Sequence, residues 1–401
     1  MATPKLRFKE FHEDWPKTSF QNLFIFKNGI NASKEQYGSG TKFINVLDII
    51  NNPNGITYDS IIGSVQVSQK DIDKNLVNYG DVVFQRSSET REEVGQSNVY
   101  LSKEPVVFGG FVIRGSAQVP YDPLFMNGLL KTDKVRDQIT QLSGGSTRFN
   151  IGQDSLNKVS IFLPSKEEQT KIATFLSVVD EKISQLSQKL HLLSQYKQGM
   201  MQKLFSQQIR FKADDGSEFG EWEEKKLGEI STTFSGGTPK STNKKFYQGT
   251  IPFIKSGEIS QKHTEQFINE LALKESSAKL VKKGDLLYAL YGATSGQVAT
   301  SQIDGAINQA VLCIRSNLNT IYLLNFFLWK KDSILSTYLQ GGQGNLSAAI
   351  LKEIFVPVPC LEEQTKIANF LSAIDQKIDV VSEQLEQAKL WKKGLLQQMF
   401  V

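Results

Sequence analysis

Several short polar stretches set cations, hydroxyls and amides beside aromatic side chains. The densest is Gly237-Thr238-Pro239-Lys240-Ser241-Thr242-Asn243-Lys244-Lys245, with Phe246 and Tyr247 directly after it. Tyr291-Gly292-Ala293-Thr294-Ser295-Gly296 follows the apolar run Leu286 to Leu290, and Gln343 and Asn345 follow the pair Gly341-Gly342. Earlier in the chain stand Lys34, Tyr37 and Lys42, then Gln85-Arg86-Ser87-Ser88 with Arg91, then Thr147-Arg148-Phe149-Asn150. Arg, Asn, Gln, Ser and Thr are the side chains that read base edges, while Lys and backbone amides hold phosphates. The candidate nucleic-acid contacts are therefore Lys34, Tyr37, Lys42, Arg86, Ser87, Arg91, Arg148 and Asn150, and then Lys240, Ser241, Thr242, Asn243, Lys244, Lys245, Tyr291, Thr294, Gln343 and Asn345. Taken singly, each loop reads first as a solvated polar turn.

Catalytic patterns are missing. The chain has no Gly-x-x-x-x-Gly-Lys-Ser/Thr phosphate loop and no glycine fingerprint after a strand. It has no Asn-Pro-Pro-Tyr-like segment for amino methylation. His12, His191 and His263 stand apart from cysteine or acidic clusters at metal spacing. Cys313 and Cys360, in apolar surroundings, make neither a disulfide framework nor a metal site, which fits a reduced cytosol. We expect no cofactor and no metal in this chain. The 401 residues carry a net charge of +4, compatible with nucleic acid without demanding it. No run approaches the roughly 18 apolar residues that span a membrane, and residues 1–15 lack a signal-peptide core. A cytoplasmic location is expected.

The loops need elements to hold them, and those elements are written twice. Glu167-Glu168-Gln169-Thr170-Lys171-Ile172-Ala173 returns 195 residues later as Glu362-Glu363-Gln364-Thr365-Lys366-Ile367-Ala368. At the same offset Asp180 matches Asp375, Lys197 matches Lys392, and Phe205 matches Phe400. In the first copy Ile172, Leu176, Val179, Ile183, Leu186 and Leu190 are spaced alternately four and three apart. Ile367, Leu371, Ile374, Ile378, Val381 and Leu385 repeat the rhythm. This is the seam of a coiled coil, a narrow apolar stripe that another helix must cover. About 40 residues would make a rod of about 60 Å. Ser165 followed by Glu168 reads as a capping box.

The segments before the globular parts are duplicated too. Arg7-Phe8-Lys9 and Trp15 match Arg210-Phe211-Lys212 and Trp222. That circular order predicts antiparallel helices, with the N-terminal lead-in beside the end of the second helix and Phe8 near Phe400, as Phe211 near Phe205. Strand-like starts follow each Trp, Phe20 to Phe26 and Lys226 to Phe234. Tyr79-Gly80-Asp81 feeds a short buried strand, as Lys283-Gly284-Asp285 does. Each domain closes on a Leu-containing strand and a proline, Leu156 to Pro164 and Leu351 to Pro359. The expected division is 1–16 lead-in, 17–164 first recognition domain, 165–208 first long helix, 209–222 repeated lead-in, 223–360 second recognition domain and 361–401 second long helix. The fold class is mixed α/β (α+β), internally duplicated, the domains joined by two long antiparallel helices in a coiled coil. Like scaffolds with unlike loops point to one job done on two targets.

The sequence resembles the specificity subunits of type I restriction–modification enzymes. The resemblance is carried by Val356-Pro357-Val358-Pro359 with the Leu361–Ala368 run and Leu371, and by Gly236-Gly237-Thr238-Pro239 and Ile251-Pro252-Phe253-Ile254-Lys255-Ser256-Gly257. Gly284-Asp285-Leu286-Leu287, Gly292-Ala293-Thr294, Asn308-Gln309-Ala310 and Asn345-Leu346-Ser347 complete it. The first domain departs from the pattern, with Gly109-Gly110 at the place of Asn308-Gln309. The resemblance implies a non-catalytic reader of double-stranded DNA, each domain taking half of a bipartite asymmetric site. It implies two methyltransferase partners that bind S-adenosylmethionine, and motor–endonuclease partners that use ATP and Mg. Three other readings stay open: a coiled-coil scaffold without DNA, a specificity subunit of another multisubunit DNA methyltransferase system, and a nuclease, for which no carboxylate cluster can be assembled.

Overall fold

The computed structural model describes residues 2–338 and 346–401. The chain divides into two compact units, Met1–Ser187 with Glu383–Val401, and Gln188–Ser382.

In the first unit the core sheet has four antiparallel strands in the spatial order Phe24–Asn28, Val112–Ala117, Val82–Gln85, Ser97–Val99. Every residue of Val82–Gln85 is buried because both faces are covered. Val82 and Phe84 point into the cluster of Trp15, Phe20, Phe24 and Phe125, while Val83 joins Ile44, Tyr100 and Phe108 on the other side. That is the alternation a strand imposes. A second sheet joins Ser64–Val65, Tyr37–Ile44 and Val107–Phe108, the last pair parallel with Phe43 opposite Val107. The second unit has the same plan. Ser231–Ser235, Val311–Ser316, Leu286–Ala289 and Val298–Thr300 form its core sheet, and Phe253 pairs in parallel with Ala306. The mixed α/β class holds.

The turns before the central strands also match. Gly80 and Gly284 have φ of 87° and 93°, the left-handed region that glycine adopts without strain. Asp81 and Asp285 follow, their carboxylates accepting the backbone N–H of Asn78 and Lys282 at 2.9 and 2.8 Å. Burial pushes the Asp285 carboxyl up, but the Arg315 hydrogen bond and the Lys282 N–H hold it below its ordinary value. Asp81 is pushed up by its burial, which the backbone bond and more distant Arg114 only oppose.

The long helices span Lys166–Phe205 and Leu361–Met399. Along the expected seam Ile172, Leu176, Val179, Leu186, Ile367, Leu371, Ile374, Val381 and Leu385 are buried, and Ile183, Leu190 and Ile378 half-buried. In the first unit Ile172, Leu176 and Val179 share a cluster with Leu395, Met399 and Phe400 and with the domain core. Asp180 pairs there with Lys392. In the second unit Met201, Leu204 and Phe205 share a cluster with Ile367, Leu371 and Ile374, and Lys197 meets Asp375 at 2.6 Å.

Several expectations need correction. The Ser165 hydroxyl does accept the Glu168 N–H, at 3.3 Å. The Glu168 side chain does not return to Ser165, so there is no capping box. It instead accepts Arg7 Nε and Nη2 at 2.7 and 2.8 Å and Trp15 Nε1 at 3.2 Å. Glu363 does the same with Arg210, at 3.0 and 2.7 Å, and Trp222, at 2.8 Å. The N-terminal segment does lie beside the end of the second helix, Leu6 N–H donating to Gln398 O at 2.9 Å. Phe8 packs against the cluster that holds Phe400, and Phe211 against the one that holds Phe205, while their aromatic partners are Phe175, with centroids 5.9 Å apart, and Phe370 at 5.6 Å. Phe400 meets Phe125 at a tilt, with ring centroids 5.1 Å apart. Leu156 and Leu351 sit in the short helices Gln153–Asn157 and Ala348–Lys352, and the strands begin after them. The single strands expected after Trp15 and Trp222 are each two strands around one helical turn, Phe20–Leu23 and Leu227–Ile230. Cys360 is exposed, and Cys313 alone is buried, its thiol pushed up to about 12 by that burial.

The Glu168 carboxylate keeps 2% of its surface. Removing one partner of such a buried pair leaves the other stranded, at about 3–5 kcal/mol. We predict that Arg7→Met and Glu363→Ala each lower unfolding stability by about that much in denaturant titration. A loss below about 1 kcal/mol would show that these clusters are peripheral.

Candidate nucleic-acid interface

In the first domain the cluster is made by a small antiparallel pair, Ser88 opposite Phe149 and Ser87 opposite Asn150. It joins Arg86, Ser87, Arg148 and Asn150, which lie far apart in sequence. Ser87 Oγ bonds Asn150 Oδ1, and Asn150 Nδ2 donates to Arg148 O at 3.1 Å. Arg86 is fixed through its backbone, donating to Phe111 O at 2.8 Å and accepting from Ile151 N–H at 3.0 Å. Its guanidinium reaches Gly110 O at 3.4 Å. The loop that carries Arg148 turns on Gly145, with φ of 122°; a Cβ there would lie 2.1 Å from Arg148 O. Both arginine side chains are exposed.

The other candidates of this domain are not drawn into that cluster. Arg91 is exposed and donates to Thr140 O at 3.2 Å, at the end of helix Asp133–Gln141. Lys34, in the short turn Lys34–Gln36, and Tyr37 are exposed; Tyr37 lies edge-on to Phe43. Lys42 is a correction. Its ammonium donates to Tyr58 O and Ile61 O at 2.8 and 2.9 Å and lies 4.5 Å from the Tyr58 ring. It fastens a loop of its own domain.

In the second domain Lys240, Ser241, Thr242, Lys244 and Lys245 share one exposed loop. Its three lysine side chains have no ion pair among the described residues. The loop is held from below by the buried Phe246, by Tyr247 OH donating to Pro239 O at 2.7 Å, and by Asn269 Nδ2 donating to Lys245 O at 2.8 Å. Asn243 caps the turn Lys244–Tyr247, accepting Lys245 N–H at 3.3 Å. Tyr291 and Thr294 belong to a separate loop and are half-buried; burial raises the Tyr291 hydroxyl above its ordinary value. Gln343 and Asn345 lie outside the described residues. The sequence reading missed Thr238 and Gln309 as a pair: Thr238 Oγ1 donates to Gln309 Oε1 at 2.5 Å beside the lysine loop. Their signal was present in the Gly-Gly-Thr-Pro and Asn-Gln-Ala motifs.

This arrangement offers cations and hydrogen-bonding tips on rigid supports. Among the described residues no group of three His, Cys, Asp or Glu could hold a metal ion. No described helix is long and apolar enough to cross a membrane. The model of the family described as the type I restriction modification DNA specificity domain matches the chain twice, over residues 12–194 and 220–390. The chain belongs to that family. It is 26% identical over 410 residues to the putative type I restriction enzyme MjaX specificity subunit of Methanocaldococcus jannaschii, covering 98% of this chain and 94% of that relative. The crystal structure of a type I restriction–modification S subunit from M. genitalium aligns over 100% of this chain and 99% of its own, with a TM-score of 0.61 and 20% identity. A chain from a structure addressing complex assembly and conformational transition of the type I R-M system aligns over 96% and 97%, with a TM-score of 0.63 and 16% identity. These two likenesses establish the fold of a specificity subunit, and family membership implies DNA sequence recognition within a larger complex.

Lys244 and Arg148 separate two kinds of contact. Lys244→Ala is expected to weaken binding to all duplexes alike and to lower the salt slope by about one charge. Arg148→Ala is expected to lose about 1–3 kcal/mol at one base pair. Titrations at several salt concentrations check both; unchanged affinity and slope in both variants would place the interface on another face.

Proposed function

We propose that this chain is the DNA-reading subunit of a type I restriction–modification complex and performs no chemistry itself. Each recognition domain takes half of a bipartite, asymmetric target, and the helices set the gap between the halves. The observation that carries this reading is the pairing of matched scaffolds with unmatched loops. The parallel strand pairs Phe43 with Val107 and Phe253 with Ala306 coincide, as do the glycine turns, while the exposed loops differ in length, charge and apolarity. Equal halves would suit a symmetric site.

The reading of the two helices as an antiparallel coiled coil is supported by the ion pairs Asp180 with Lys392 and Asp375 with Lys197, which are the same pair at the offset of the repeat. Two methyltransferase subunits would dock on the duplicated helices, bind S-adenosylmethionine and methylate adenine. Motor–endonuclease subunits with ATP and Mg would join for restriction. The complex would work in the cytoplasm, on double-stranded DNA.

Methylome sequencing of cells expressing this chain with its methyltransferase tests the reading: an interrupted, asymmetric motif is expected, and an uninterrupted or absent motif overturns it. The spacer role has its own test. Inserting seven residues after both Ile183 and Ile378 keeps the seam and adds roughly 10 Å. That is at most about 3 base pairs at 3.4 Å each. The half-sites are expected to stay the same while the unspecified gap grows. Full methylation at the old spacing would show that something else sets the distance.

A further inference from the structure

The second sheet of the first domain borders a cleft of about 480 Å³ whose rim is apolar and open. Ile62 is 95% exposed, Phe111 64% and Leu47 63%. Three large apolar side chains bared around one cleft mark an interaction surface. The occupant is indicated by what adjoins them. Phe111 O accepts the Arg86 N–H, and Gly110 O the Arg86 guanidinium, so the apolar rim continues directly into the arginine cluster. Gly109 lets this loop lie flat on the sheet; a Cβ there would come within 2.6 Å of the Phe43 ring.

The second domain has the same positions without the large apolar side chains. Counting from the matched pairs Ile44–Phe108 and Ile254–Ile307, Phe111 falls on Ala310 and Leu47 on Gly257. Ile62 falls on Glu265: the Ile62 backbone helps hold down the pKa of Asp48, and Glu258, the match of Asp48, accepts the Glu265 N–H at 2.9 Å. Ala310 is buried. The scaffold therefore does not require large exposed apolar side chains at these sites, and the first domain carries them for another reason.

In a DNA groove the apolar group that distinguishes one base pair from another is the C5-methyl of thymine in the major groove. We propose that Leu47, Ile62 and Phe111 form an apolar reader of a thymine methyl, so that the half-site of the first domain contains at least one T·A pair recognised through that methyl. This rests on the DNA-reading role above.

The test uses the full chain with its methyltransferase and duplexes carrying its methylation target, each thymine replaced in turn by deoxyuridine, which keeps every base-pairing group and removes only the methyl. At one or more thymines the replacement is expected to weaken binding about three- to fivefold, the worth of one buried methyl. In Ile62→Ala and Phe111→Ala, substitutions at exposed positions, the thymine-to-deoxyuridine ratio at that step is expected to fall to about one. The proposal is overturned if no thymine shows such dependence, or if the ratio persists in both variants. It is also overturned if the variants lose methyltransferase in size-exclusion chromatography with the ratio unchanged, since the rim would then be a protein-docking surface. Sequence-specific binding that survives all three results leaves the DNA-reading role standing; its absence from the outset removes both.

Discussion

A carboxylate with almost no access to water organises each half of this protein. Glu168 and Glu363 sit in the first turns of the long helices, where stripping a carboxylate of its hydration costs several kcal/mol. The cost is offset only because a guanidinium and an indole N–H converge on the same two oxygens. Those donors arrive from the lead-in segments, so the arrangement ties chain that precedes each domain to the helix that leaves it. The neighbouring glutamines complete the joint. Gln169 accepts Asp122 N–H at 2.9 Å and donates to Pro164 O at 2.9 Å, and Gln364 does the same with Asn319 and Pro359. Each Glu-Gln pair thus gathers a lead-in, the start of a domain helix and the end of the closing strand. Loops that read DNA need such a joint, because a recognition surface on an unfixed domain has no defined register.

This joint explains which parts of the sequence were legible. The repeated Glu-Glu-Gln-Thr-Lys run announced the duplication at once, and the four-three spacing gave both helices nearly to their ends. The purpose of the run was misread, because Ser165 at the right spacing from Glu168 satisfies a local rule while the true partners lie 153 and 161 residues away in the chain. A local pattern cannot reveal a partner at that separation. Helix Thr320–Tyr338 escaped for a different reason. It buries Tyr322, Leu323, Phe326, Phe327 and Ile334 on a broad face, so no narrow stripe stood out. The candidate site was legible by residue type but not by grouping. Lys42 had the right chemistry and the wrong neighbours, whereas Arg86 and Arg148 were united by a two-residue strand pair that no periodicity marks.

The helices show how little of their pairing comes from charge. Lys197 and Asp375 keep 15% and 42% of their side-chain surface, and such partly exposed pairs are worth about 0–1 kcal/mol. A single fully buried Leu, Ile or Phe contributes about 1.5–3 kcal/mol, and each unit buries several along the seam. The apolar stripe therefore supplies the adhesion. What the stripe cannot supply is direction and register, because a four-three repeat fits its partner again after every heptad. An Asp of one copy meeting a Lys of the other, in both units and at the same offset, disfavours those alternatives, since a shift or reversal would bring unpaired charges against the seam. Weak ion pairs are effective here because competing registers share the same apolar energy, and a difference of even one kcal/mol per site decides among them. The duplication then acts twice: one Asp and one Lys, copied with the helix, give both ends of the pair the same instruction.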